Sequence, residues 1–197
     1  MGARPADFRM QRRAALAIAG TWLVCHPFME ASAGDPPTGW VEPALPPPPL
    51  NITGTDGRVT KLASAVSGKI TAVQLMFTGC SATCPTQGAL FAAIASRLSS
   101  KELQLLSISI DALGDTPSTL RKWQDRLGRH PAWSVAVADA ADVDVLGDYM
   151  KGVPSKSGTH TAQVFIFDRH SRLRYRTGDS PAIREVEALM ERLTQIG

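Results

Sequence analysis

The feature that most constrains this chain is a largely apolar run, residues 70–77, that leads straight into a turn holding two cysteines and then into a helix. The turn reads Thr78-Gly79-Cys80-Ser81-Ala82-Thr83-Cys84-Pro85. A strand that is apolar on both faces must be covered on both faces, which makes it a central strand of an α/β sheet. Pro85 suits the first position of a helix because its missing N–H has no partner there anyway. Cys84 then falls at or beside the helix N-terminus. The cysteines therefore sit where an open α/β sheet places its ligand sites, at the carboxyl end of a strand.

The rest of the chain repeats that alternation. Residues 51–55 and 58–62 flank Asp56-Gly57, a strong hairpin signal. The helix from Pro85 carries Leu90, Phe91, Ile94 and Leu98 on one face. Residues 103–110 form a second buried strand. Thr116 caps a helix with Pro117 at its first position and Gly128 at its end. Residues 133–138 make a third strand and 143–150 a short helix. Residues 163–167 and 173–176 pair across a turn at 168–172, and Ile183, Val186, Leu189, Met190 and Leu193 mark a closing amphipathic helix. Alternating strands and helices argue an α/β sandwich with a partly parallel sheet. Two crossover units followed by a hairpin and a helix suit a thioredoxin-like domain, a central mixed sheet flanked by helices. Met76, Trp123 and Trp133 fit packing positions.

The first 33 residues read as a secretory signal peptide. Arg9, Arg12 and Arg13 precede an uncharged, mostly apolar run over residues 14–25, and Ala31-Ser32-Ala33 supplies small residues for cleavage. The apolar run is shorter than the roughly 20 residues a spanning helix needs; an uncleaved leader would tether the chain to a membrane. Residues 34–50 hold Pro36, Pro37, Pro43 and Pro46 through Pro49 and read as a stiff linker. One domain is expected over residues 51–197. Lys and Arg number 21 against 18 Asp and Glu, a net charge of +3, and much of that excess lies in the leader. A near-neutral body with no basic run gives no footprint for nucleic acid.

Cleavage after Ala33 removes Cys25 and leaves Cys80 and Cys84. In an oxidising compartment, reached by export to the periplasm, such a pair is a structural disulfide or a working site. A bridge across so short a loop stabilises little. The helix dipole favours a thiolate at Cys84. No Lys or Arg lies between Lys69 and Arg97, which argues against a peroxidase with its cysteine in a basic pocket. Two soft sulfurs suit Cu(I), Zn(II) or an iron–sulfur centre, and need a third ligand from elsewhere. The candidates are His130, His160 and His170. His170 falls in the 168–172 turn and His130 behind a helix end, where it satisfies carbonyls. His160 falls in Ser157-Gly158-Thr159-His160-Thr161, ahead of a strand. The pattern alone does not separate His160 from His130. Asp111 ends its strand on the cysteines' side of the sheet. It is placed as a further ligand, as a bonding partner to a ligand, as a docking charge or as an ordinary exposed strand end. Asp115 orders the turn before Thr116.

The segment Phe77-Thr78-Gly79-Cys80-Ser81-Ala82-Thr83-Cys84-Pro85 resembles the signature of the SenC/Sco family of copper chaperones. Ser107-Ile108-Ser109-Ile110-Asp111 followed by Asp115-Thr116-Pro117, and Gly158-Thr159-His160-Thr161 ahead of residues 163–168, resemble its second and third blocks in the same order. Ser81 and Ala112 stand where family members usually have proline. The resemblance implies a thioredoxin-like fold and copper, as Cu(I) or Cu(II), bound by Cys80, Cys84 and His160. It also implies delivery to, or maturation of, the dinuclear copper site of a cytochrome c oxidase subunit, with a copper-donor chaperone upstream. Membrane proximity goes with such a target. The alternative is a periplasmic thiol–disulfide oxidoreductase that uses Cys80 and Cys84 alone to reduce the cysteines of a copper acceptor.

Overall fold

The computed structural model describes residues 1–2, 37–81, 84–152 and 161–196. The leader and its cleavage site lie outside the described residues apart from Met1 and Gly2, and so does His160. Among the described residues, eight strands form one mixed sheet in the order β1-β8-β7-β4-β5-β6-β2-β3. They are β1 (Gly39–Leu45), β2 (Asn51–Gly54), β3 (Val59–Lys61), β4 (Ile70–Met76), β5 (Leu103–Ser109), β6 (Trp133–Ala138), β7 (Val164–Phe167) and β8 (Leu173–Arg176). The helices are α1 (Leu62–Ala65), α2 (Cys84–Ala95), α3 (Pro117–Leu127), α4 (Val143–Lys151) and α5 (Ile183–Ile196). This is the thioredoxin-like α/β sandwich that the alternation of elements predicts.

Strand β4 is central and buried at every position. It runs parallel to β5, and β5 to β6, while β7 runs antiparallel to β4. Because side chains alternate across a sheet, the core divides in two. Ile70, Ala72, Met76, Leu105, Val135 and Ile166 pack under α2, α3 and α5, through Phe91, Leu120 and Met190. Val73, Leu75, Leu106, Ile108, Phe165 and Phe167 pack on the opposite face against Leu62 of α1 and Leu146 and Met150 of α4.

Local signals hold where they rest on backbone chemistry. Asp56-Gly57 turns β2 into β3, with Gly57 at φ 80°. Thr116 caps α3: its hydroxyl accepts from the Thr119 N–H (3.3 Å), and the Thr119 hydroxyl accepts from the Thr116 N–H (2.8 Å).

The fold departs from the sequence-based expectation in two places. The proline-rich segment supplies β1, which pairs antiparallel with β8, and Val41 is buried. Proline removes a ladder donor, so a proline-bearing strand fits only at a sheet edge, and β1 is the edge. Pro37 ahead of it accepts from the Gln163 side chain (3.4 Å), so the segment enters the domain beside the start of β7. In α2, the buried face is Cys84, Gln87, Gly88, Phe91, Ile94 and Ala95. Leu90, expected in that stripe, is only half-buried at its border, because α2 lies with Gly88 toward α3. A Cβ on Gly88 would come within 2.7 Å of Leu127 Cδ1 and 3.0 Å of Trp123 Cζ2.

Candidate metal centre

The carboxyl ends of β4 and β5 form one rim of the sheet, and the cysteine turn leaves from it. Phe77 and Thr78 follow β4, and the Cys80 N–H donates to the Phe77 carbonyl (3.2 Å). Cys80 is partly exposed, whereas Cys84 opens α2 with 1% of its surface exposed. Both are thiols.

Asp115 fastens that turn. Its carboxylate is 5% exposed. It accepts from the Thr78 N–H (2.9 Å), the Thr78 hydroxyl and the Ser109 hydroxyl (2.6 Å). The end of β5 and the approach to Cys80 are thereby joined through one buried anion. The sequence reading gave Asp115 only a local turn to order. The partner lies 37 positions away, and the hydroxyls of Thr78 and Ser109 at the two strand ends were the available signal.

Asp111 stands on the same rim. One carboxylate oxygen accepts from the Gly114 N–H (2.9 Å), and its carbonyl accepts from the Asp115 N–H (2.8 Å). A Cβ on Gly114 would lie 2.3 Å from Asp111 Oδ2. Asp111 thus closes the tight loop that presents Asp115.

The topology places two of the three histidines, His130 and His170, and His160 lies outside the described residues. His130 precedes β6, which runs parallel to β5, so it lies at the opposite rim; its Nδ1 accepts from the Ala132 N–H (3.2 Å). His170 is exposed in the β7–β8 turn and bridges Ser67, ahead of β4, again at the far rim. Strand β7 runs the other way. Val164 pairs with Gln74, so residues 161–163 approach β7 from the cysteines' rim. The Asp179 carboxylate holds that approach, accepting from the Ala162 N–H (2.9 Å) and the Thr161 hydroxyl (3.0 Å). Among the described residues, no group of three or more His, Cys, Asp and Glu side chains converges.

A cysteine pair on the first turn after the central strand, at the carboxyl rim of a mixed sheet, defines a thioredoxin-like dithiol domain. The chain matches the SCO1/SenC family over residues 48–195 and belongs to that family. No curated protein matches it in sequence. Solved structures share its fold. A SCO1/SenC family lipoprotein from Bacillus anthracis is 18% identical, covering 78% of this chain and 99% of that one, with a TM-score of 0.67. ScoI of Bradyrhizobium japonicum, solved with copper bound, is 21% identical over 75% of this chain and 99% of that one, with a TM-score of 0.58. BsSco is described as having a disulfide switch and as a member of the Sco family of cytochrome c oxidase assembly proteins. It is 14% identical over 75% of this chain and 92% of that one, with a TM-score of 0.63.

Proposed function

We propose that the chain is an exported copper metallochaperone. In this reading it binds one copper through Cys80, Cys84 and His160 and delivers it to, or matures, the dinuclear copper site of cytochrome c oxidase. The observation that carries the reading is the shared rim: the cysteine turn and the approach to β7 meet at one end of β4, while His130 and His170 stand at the other. Two soft sulfurs and one imidazole make a donor set suited to Cu(I), with room for a further oxygen ligand around Cu(II). A low-coordinate site at a rim can be reached by an acceptor's ligands, as transfer requires. Family membership and the copper-bound relative support the cargo; the description of BsSco supports the destination. Residues 1–33 act in this reading as the export leader.

A copper titration of the reduced protein, wild type beside His160→Ala, tests it. One copper per chain is expected, with thiolate-to-Cu(II) charge transfer in the absorption spectrum. The substitution should weaken affinity by more than about a hundredfold, since loss of a partner to a ligand alone costs roughly 10–100-fold. Weak binding in the wild type, with Cys80 and Cys84 still exchanging with glutathione, would leave the thiol–disulfide oxidoreductase as the function.

A further inference from the structure

A groove of about 350 Å³ opens beside the cysteine turn, between the first turns of α2 and the segment leading into α5. One wall is Thr86, Gln87, Ala89 and Leu90; the other is Ser180, Pro181, Ala182 and Ile183. None of these side chains carries a charge. Leu90 faces this groove because Gly88, close by on the helix, takes the contact with α3.

An unspent hydrogen-bonding group lies buried in the groove's wall. Gln87 is 2% exposed, and neither its Nε2 nor its Oε1 has a partner among the described residues. Buried carboxamides are nearly always satisfied, because leaving them unpaired forfeits their bonds to water. Both atoms are closed to solvent as packed, so the side chain must swing into the groove to meet an occupant. The opposite wall is held in place. Ser180 adopts φ 53°, in the left-handed region, and its N–H donates to the Ala162 carbonyl (3.0 Å). Asp179 beside it holds Thr161 and Ala162.

We infer that this groove receives an extended, uncharged peptide segment of the copper-accepting protein. A carboxamide offers one donor group and one acceptor, the complement of the C=O and N–H of a backbone amide. The apolar, uncharged walls suit small or aliphatic side chains and reject charged ones. The volume is in the range of built ligand sites. Gln87 lies one helical turn beyond Cys84, about 4.5 Å along the axis, so a segment seated there has its flanking residues next to the cysteine turn. The identity of the partner rests on the copper-transfer reading; the groove and its orphaned amide do not.

The test uses the purified chain labelled with ¹⁵N and ¹³C, with or without copper. Ten-residue peptides tiled over the soluble oxidase domain that carries the dinuclear copper site are the probes. At least one peptide should shift the Gln87 side-chain NH₂ signals together with the Leu90 and Ile183 methyls. Ala89→Glu and Ala182→Glu, at exposed positions, should weaken that peptide and slow copper transfer about tenfold, the cost of losing a central contact, with the copper affinity of the chain unchanged. Gln87→Leu should weaken the peptide while raising the unfolding midpoint. The inference is overturned if no peptide moves the Gln87 signals. Concentration-dependent dimerisation through the groove, or wild-type transfer by both glutamate variants, overturns it too. Failure of the copper titration would sink the metallochaperone reading and leave the peptide arm to stand or fall alone.

Discussion

At the scale of single residues, Asp115 decides how the cysteine turn is held. Its carboxylate takes three donors from two strand ends, and charge-assisted bonds of this kind are the strong ones. Asp115→Ala removes all three and leaves the Thr78 N–H and Ser109 hydroxyl without that acceptor. A loss of about 3 kcal/mol is expected, read by urea unfolding, together with broadened amide signals from Thr78 to Cys80. Thr78→Val removes one of the three and should cost about 1 kcal/mol. Equal stability of Asp115→Ala and wild type would mean that the turn is held by other contacts. The cysteines themselves were legible, because an apolar strand, a turn and Pro85 fix their address without reference to anything distant. His160 was separated from His130 in sequence only by its motif; the direction of β7 brings residues 161–163 in from the cysteines' rim, while His130 stands at the other. The Thr78–Asp115 bond was not legible, because nothing local predicts a contact between strand ends 37 positions apart.

Elements were legible where their signal is periodic or a cap, and illegible where an edge tolerates poor strand formers. β1 carries Pro43 and no clean alternation, so it reads as a spacer. Its pairing is supplied by β8 and by side chains that close over it. Trp40 meets Tyr175 edge-on, with ring centroids 5.2 Å apart, and the Arg192 guanidinium lies 4.8 Å from the Trp40 ring centre. The Tyr149 hydroxyl of α4 donates to the Leu45 carbonyl (2.9 Å). Burial raises the pKa of that phenol above its ordinary value of 10.0. Its neutral form is thus favoured by folding. The stability it contributes is complete below the unfolded pKa near 10 and is lost as pH rises from there toward the folded value. Tyr149→Phe should therefore cost about 1 kcal/mol at pH 7, and its deficit against wild type should shrink above about pH 10. Parallel stability curves for the two proteins across that window would contradict this. In α2, Gly88→Val should cost about 2 kcal/mol by overpacking against Trp123 and Leu127, although valine is the better helix former. An unchanged unfolding midpoint would show that α3 gives way freely.

For the molecule as a whole, two cores on opposite faces of one sheet follow from strict alternation in β4, β5, β6 and β7, and that much is written in the sequence. Strand order is not, because it depends on which edges are left open once the central strands have paired. The way the chain enters the domain has a mechanical consequence. Pro37 meets Gln163 beside the start of β7, and β1 begins at Gly39 opposite Arg176 at the end of β8, all on the rim that carries the cysteines. Whatever holds the chain upstream of residue 37 therefore pulls on that rim, as a leash fastened at the mouth and not at the tail. A pull on the chain there reaches the thiol rim first, and the far rim, with His130 and His170, last.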